Sequence, residues 1–311
     1  MNRLRIAACN FLRNGGGDRD CRQKMYALLR SLRIDLLGRM ELLGCEDPST
    51  GLWDESRKAL GMEGVLAPRM GATAVYWNPE TLMFSPTPDA RWKGVECWPD
   101  WWLHPAVVTL RLLKTSEPVD FVAASTHLRF DSATQRLAEA ECTTRIGDRR
   151  IGGRPTPLPA IITGDWNSYC AGDPAEDEPP TPRPEEITDR RHLVHRSYLL
   201  PSGERVMDDR PDRTLKGAGW VDAARHFARN ATGETRRRAV AATSPTPQFA
   251  RPEQGPPRRI IRTYVPEELG PAITHAEVID VGGLSDHRIV VVDLALDALV
   301  DINRRKFLLR H

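Results

Sequence analysis

No stretch of this sequence is apolar for long enough to cross a bilayer. The longest run, Ile289–Val300, is broken by Asp293 and Asp297, short of the ~20 residues a span needs. Neither sign of charge prevails: 44 lysines and arginines face 42 aspartates and glutamates, for a net charge of +2. That balance disfavours both a strongly basic DNA-coating protein and an acidic disordered chain, while leaving room for a local basic patch. Six cysteines (9, 21, 45, 97, 142 and 170) show no CxxC spacing, which excludes zinc-ribbon and redox motifs and leaves free thiols as the plain reading. The first ten residues carry positive charge but too short an apolar stretch for a secretory leader, so the expected address is cytoplasmic. No segment repeats.

What is present is enough apolar material for a large core, 40% of 311 residues. Hydrophobic periodicity gives short strand-like runs: Leu4–Cys9, Leu36–Leu37, Thr73–Trp77, Ala106–Leu113, Val119–Ser125, Ala160–Thr163, Val278–Val281 and Ile289–Leu296. Helical spacing marks Cys21–Arg33, with Met25, Leu28, Leu29 and Leu32 on one face, together with Asp131–Arg145 and Ala223–Arg229. Short turns join 106–113 to 119–125 and 276–281 to 287–296, which argues antiparallel pairing. A mixed two-sheet layer covered by helices fits better than a repeating parallel scheme. The expectation is one domain over 1–311, with irregular insertions at about 172–214 and 229–259 and a short tail at 297–311.

Two stretches depart from this grammar. Gly172–Pro184 holds five prolines and, counting Glu185 just beyond, five acidic residues, and reads as an irregular loop. Arg229–Arg262 holds eight arginines against two glutamates, and its prolines forbid a continuous helix or central strand. It is either a solvated insertion or a basic arm, with Arg236, Arg237 and Arg238 attracting an anionic substrate. Half of the eight tryptophans (Trp92, Trp98, Trp101 and Trp102) fall in Arg91–Leu103. They form either a hydrophobic cap or, with Arg91 and Lys93, a stacking platform for a base, an interaction of about 1–3 kcal/mol per base. Arg129 and Arg136 read as helix-surface cations or phosphate contacts.

Five times, an apolar run delivers a hard oxygen donor or an imidazole. Ile6–Cys9 leads to Asn10, Leu36–Met40 to Glu41, and Val122–Thr126 to His127. Ile161–Gly164 leads to Asp165-Trp166-Asn167, and Gly283-Leu284-Ser285 to Asp286-His287. Singly, each has an ordinary explanation as a turn, a cap or a hydrogen-bonded core histidine. Together they call for something that neutralises charge beside buried strands. Three carboxylates, two amides and two imidazoles without a thiolate suit a hard cation such as Mg²⁺ or Mn²⁺ rather than a zinc tetrahedron.

In order and approximate spacing, Asn10, Glu41, Ser125-Thr126-His127, Gly164-Asp165-Trp166-Asn167 and Leu284-Ser285-Asp286-His287 resemble the endonuclease/exonuclease/phosphatase superfamily. These are the DNase I-like and exonuclease III-like metal-dependent phosphoesterases, and the resemblance spans about residues 3–296. It implies an α/β (α+β) fold, a four-layer α/β/β/α sandwich of two mixed sheets packed face to face with helices outside. It also implies Mg²⁺, with Mn²⁺ as a substitute and one ion or two left open. Glu41 would be the main ligand, with Asn10 and Asp286 supporting it through water. Asp165 would orient or deprotonate the attacking water, Asn167 would bond a phosphoryl oxygen, and His127 and His287 would stabilise the developing charge, one of them also serving as acid or base.

Two departures stand out. Met40 stands where the family often has Gln. In Arg259-Ile260-Ile261-Arg262-Thr263-Tyr264-Val265, Ile261 takes the place of the carboxylate that orients the final histidine, with Asp222 or Asp280 as stand-ins. Gly219–Ala223 resembles a structural segment of the family. The resemblance implies hydrolysis of a phosphodiester, with nucleic acid the favoured substrate and no obligate protein partner. A phosphatase or phosphodiesterase acting on a small metabolite, nucleotide or lipid is the alternative, and a scaffold or binding protein with weakened turnover, motivated by Ile261, is the third reading.

Overall fold

The computed structural model describes residues 2–68, 71–86, 101–113, 115–150 and 156–308. Along the chain run β1 (Arg3–Asn10), α1 (Arg19–Ser31), β2 (Leu36–Met40), α2 (Leu52–Leu60), β3 (Glu63–Leu66), β4 (Ala74–Trp77) and β5 (Leu82–Phe84). Next come β6 (Ala106–Leu112), β7 (Asp120–His127), α3 (Ala133–Thr143), β8 (Ala160–Asp165), α4 (Arg190–Arg196), β9 (Ser197–Leu199) and β10 (Arg205–Met207). Then follow α5 (Arg210–Gly217), β11 (Trp220–Asp222), α6 (Ala223–Ala228), α7 (Gly233–Ala239), β12 (Ile261–Pro266), β13 (Ile273–Ile279), β14 (Ile289–Ala295) and α8 (Leu296–Ile302).

The large strands form two mixed six-stranded sheets, ordered β13-β14-β1-β2-β4-β3 and β11-β12-β8-β7-β6-β5. In each sheet one central pair is parallel, β1 with β2 and β7 with β8, and every other pairing is antiparallel. The inner faces meet in an apolar layer built from residues such as Ile6, Ala8, Val108, Leu110, Ile161 and Val292. Alternation along the strands sends the other side chains outward. Ala7, Cys9 and Leu37 pack under Met25, Tyr26 and Leu29 of α1, while Val122, Ala124 and Ile162 pack in a cluster that includes Ala140 of α3 and Leu215 of α5. The result is four layers. Helix starts follow local chemistry: Asp18 accepts from Asp20 N and Cys21 N at α1, and Ser132 accepts from Gln135 N at α3.

This pairing dictates where polar residues gather. The C-terminal ends of the parallel strands put Asn10 opposite Met40 in one sheet and His127 opposite Asp165 in the other. The antiparallel strands β12 and β14 begin at that same end, with Ile261 opposite Asp165 and Val290 opposite Ala8. Gly38 lets the two sheets approach here, since a Cβ at this position would fall on the Thr163 hydroxyl. A Cβ on Gly164 would lie 2.5 Å from Thr126 Cγ2 and 2.7 Å from its carbonyl oxygen, so the strand before Asp165 requires glycine.

The polar insertions hold more order than their composition indicates. Within 172–214 lie α4, the β9–β10 hairpin and the start of α5, and the basic stretch contains α7. Residues 296–302 of the tail form α8. Arg136 is no surface cation: it is fully buried and pairs with Asp208 at 2.7 Å.

Candidate active site

Seven of the residues read from the sequence do converge at the strand ends. Asn10 donates through Nδ2 to Glu41 Oε1 at 3.1 Å and to Asp165 Oδ2 at 2.9 Å, bridging the two sheets. Nε2 of His127 and of His287 lie 3.8 and 3.6 Å from Asp165 Oδ2, and His287 Nε2 lies 3.6 Å from Asp286 Oδ2. The Asn167 backbone N–H donates to Asp165 Oδ1 at 3.0 Å, and its side-chain amide donates to the Leu128 carbonyl at 3.0 Å. Ser285 ties the last motif to the first: its hydroxyl donates to Asn10 O at 3.1 Å and accepts from Leu12 N at 3.0 Å.

Backbone conformation at this end is unusual. Glu41 and Asn167 have φ of +59° and +47°, and Arg13 and Asn14, beside Glu41, have +46° and +52°. Non-glycine residues held there cost roughly 1–3 kcal/mol each and gather at sites where geometry matters more than local comfort. The reversal after β2 also turns Glu41 so that its Oε2 accepts from the Arg13 N–H at 2.9 Å.

Electrostatics set the acids apart. Burial would push the Asp165 carboxyl up, but the His287 and His127 imidazoles, the Asn10 amide and the Asn167 N–H outweigh it and hold Asp165 below the usual carboxylate range. Burial pushes Asp286 up, and the neighbouring Glu41 and Asp165 carboxylates add to that against the opposing pull of His287. One acid is therefore a firm anion and another is crowded by like charge.

Oxygen donors for a hard cation are present. Glu41 is a half-exposed carboxylate, Asp286 stands within its field, and Asn10 Oδ1 is buried without a hydrogen-bond donor among the described residues. Among those residues no three carboxylate, imidazole or thiol groups stand close enough to hold an ion by themselves. The donors that are present, two carboxylates and an amide oxygen, are of the hard type that suits a Mg²⁺-like ion.

The site opens into a cavity of about 550 Å³. One wall carries Glu41, His127, Asp165, Asn167 and His287; the other carries Leu12, Leu43, Trp102, Leu103 and Phe130. The Trp102 ring lies edge-on to His127 at 5.7 Å and to Phe130 at 5.3 Å, and the Arg129 guanidinium covers it at 5.3 Å. Arg129 is paired with Asp131 at 2.5 Å.

Other sequence expectations fall elsewhere. Trp101 is buried beneath the second sheet at 2% exposure, so it supports the layer instead of meeting a ligand. Trp98, with Trp92, Arg91 and Lys93, lies outside the described residues. Arg236 pairs with Glu176 and Asp177, Arg237 with Glu234, and Arg238 with Glu277. These three line neither wall, and their charge is spent on the acidic loop, on Glu234 of α7 itself and on Glu277 of β13. Ile261 is fully buried in the inter-sheet core. Neither proposed stand-in reaches the histidine: Asp222 caps α6 and binds Arg259, Asp280 pairs with Arg288, and His287 Nδ1 is buried without a partner among the described residues.

Sequence reasoning missed Glu139, whose carboxylate accepts from Trp102 N at 3.1 Å and Arg129 N at 2.6 Å and so fixes the apolar wall. It also missed Thr246, whose hydroxyl donates to Ser285 O at 2.7 Å. The only available signal was Glu139 standing three residues after Arg136, on the buried face of α3.

No protein-family model and no curated protein sequence matches this chain. Solved structures do match in fold. An endonuclease/exonuclease/phosphatase family protein from Bacteroides thetaiotaomicron is 15% identical at a TM-score of 0.56, covering 94% of each chain. D. rerio TDP2, complexed with a single-strand DNA product, is 11% identical at 0.58, covering 94% of this chain and 98% of that one. The mannosyl-6-phosphatase of B. thetaiotaomicron VPI-5482 is 14% identical at 0.54, covering 94% and 99%. The fold is thus a DNase I-like α/β sandwich, shared with these solved structures.

Proposed function

We propose that this chain is a Mg²⁺-dependent phosphoesterase that hydrolyses a phosphodiester, with a nucleic acid strand as the favoured substrate. The observation that carries the reading is the meeting of Glu41, His127, Asp165, Asn167 and His287 from both sheets at one cavity, with Asn10 bonded to Glu41 and Asp165, and Asp286 beside His287. Glu41, with Asn10 Oδ1 and Asp286 behind water, would hold the cation, which supplies Lewis acidity toward a phosphoryl oxygen. Asp165, a firm anion, orients the attacking water and accepts its hydrogen bond. The water oxygen bonds to phosphorus as its proton passes to Asp165 and the ester P–O bond breaks. The imidazoles of His127 and His287 and the Asn167 amide face the oxygens on which charge builds, and one imidazole protonates the departing alkoxide.

The nucleic acid preference rests on the second wall. Trp102 and Phe130, backed by the Arg129 guanidinium, offer an aromatic face beside the phosphate-facing groups, and such a face stacks on bases of any sequence. A TDP2 crystallised with single-strand DNA shares this fold, as does a mannosyl-6-phosphatase, so the assay must separate the two. A generic phosphodiester, a nucleoside monophosphate and single-stranded and plasmid DNA are incubated with Mg²⁺, Mn²⁺ or EDTA, with Asp165→Ala as control. Strand cleavage abolished by EDTA and by Asp165→Ala is the expected result. Phosphate release from the monoester alone would replace the reading with a phosphatase, and absence of metal-dependent turnover on every substrate would leave the scaffold.

A further inference from the structure

Next to the active-site cavity lies a smaller one of about 210 Å³, and the two share Phe130, Asn167 and His287 as a common rim. Its lining also holds Arg196, at the end of α4, Arg258, just before β12, and, beside His287, the Asp286 carboxylate. Neither guanidinium forms an ion pair with a carboxylate among the described residues. Arg196 Nη1 donates to the Gln254 carbonyl at 2.5 Å, and the Arg258 side chain makes no hydrogen bond there. Arg136, Arg225, Arg236 and Arg259, by contrast, each meet an acid. Arg258 is held on a fixed backbone, its N–H donating to Ser244 O at 2.7 Å and its carbonyl accepting from Thr243 N at 2.9 Å.

We infer that this annex is an anion subsite, built to hold a second phosphate of the substrate beside the phosphate undergoing hydrolysis. The inference rests on the phosphoesterase reading above and deepens it by naming what the substrate carries. Two half-dehydrated cations facing one small polar cavity repel each other and have no carboxylate within ion-pair contact, Arg258 feeling only the more distant Asp165 and Asp286 charges, an arrangement that a dianion with several acceptor oxygens relieves. The strain is visible on Arg196: burial and the nearby Arg258 charge push its pKa down to about 9. At neutral pH it remains a cation. Planar guanidinium forks match phosphate oxygens bidentately, which lysine cannot do. The sequence pointed to the arginine-rich stretch for such a role, but the residue in place for it is Arg258, whereas Arg236–Arg238 are neutralised. With the aromatic wall on one side of the scissile phosphate and this annex on the other, the site fits a nucleotide strand segment that presents a base and a neighbouring phosphate.

The neighbouring phosphate is either internal to a strand or terminal, and the test separates them. Inorganic phosphate is titrated calorimetrically into the full-length chain in EDTA, for wild type, Arg196→Met, Arg258→Met and the milder Arg258→Lys. KM is measured on bis(p-nitrophenyl) phosphate, on a dinucleotide with and without a terminal phosphate, and on a longer oligonucleotide. Each Arg→Met change is expected to weaken phosphate binding about tenfold or more, with Arg258→Lys intermediate. KM should rise about tenfold more on the two-phosphate substrates than on the single-phosphate diester. A rise on the terminally phosphorylated dinucleotide marks a terminal phosphate, and one confined to the longer strand marks an internal phosphodiester. Undiminished phosphate binding in both Met variants, no phosphate binding by wild type, or equal losses on one- and two-phosphate substrates would overturn the subsite. Arginine-dependent phosphate binding without turnover of any ester would uphold the subsite and remove the phosphoesterase reading instead.

Discussion

Removing the Glu178 carboxylate should unpin the proline-rich acidic loop from the second sheet. Glu178 is buried, and its Oε1 accepts from Arg259 Nε at 2.8 Å while Oε2 accepts from Arg225 Nε at 2.7 Å and Ala175 N at 2.9 Å. Burial would raise its pKa, but the Arg259 and Arg225 guanidiniums outweigh this and bring it from 4.5 to about 2. A depression of that size corresponds to roughly 3 kcal/mol of folding stability at neutral pH. Because the folded pKa is the lower one, the contribution is complete above pH 4.5 and disappears as pH falls toward 2. Glu178→Gln leaves two buried guanidiniums short of charge, and breaking such a group costs about 3–5 kcal/mol. Asp222 still holds Arg259 at 2.5 Å, which places the loss at the lower end. Urea denaturation of wild type and Glu178→Gln at pH 7 and pH 3 reads it directly. The stability gap should be about 3 kcal/mol at pH 7 and should narrow by about 2 kcal/mol at pH 3. A gap below about 1 kcal/mol at pH 7, or one that does not change with pH, would refute the ion-pair reasoning.

Gly38→Ala drives a methyl group into Thr163 across the sheet interface and should lower stability by about 1–3 kcal/mol; an unchanged thermal midpoint would contradict the close approach. Trp102→Ala removes the aromatic wall facing His127 and should raise KM for an oligonucleotide about 5- to 100-fold with a smaller effect on kcat; steady-state kinetics showing the reverse split would point to catalysis instead of binding. Arg237→Ala with Arg238→Ala alters side chains already engaged with Glu234 and Glu277, so KM for a polymeric substrate should stay within about twofold. A large rise there would restore the basic arm.

The strand ends were legible because an apolar run followed at once by Asn, Glu, His or Asp is a local signal that survives folding: β1, β2, β7 and β8 all deliver the residue expected of them. The insertions were not, because their order comes from distant partners. Arg136 meets Asp208 72 positions away and Glu178 meets Arg259 81 away, and no local composition announces a buried ion pair. Tryptophans adjacent in sequence separate for the same reason. Trp101 packs under the sheet with Val107 and Leu128, whereas Glu139, reaching across from α3, holds Trp102 at the cavity. Arginine density also misled: the annex depends on which guanidinium lacks an acid, and that is fixed only once the acidic loop has docked on Arg225, Arg236 and Arg259.

A crystal grown with Mn²⁺ and inorganic phosphate, examined by anomalous scattering, puts the central claim to its plainest test. The predicted result is an anomalous peak in contact with the Glu41 carboxylate and a phosphate within hydrogen-bond distance of His127, Asn167 and His287. Manganese bound elsewhere at saturation, with the space between Glu41 and Asp165 holding neither ion nor phosphate, would contradict the account.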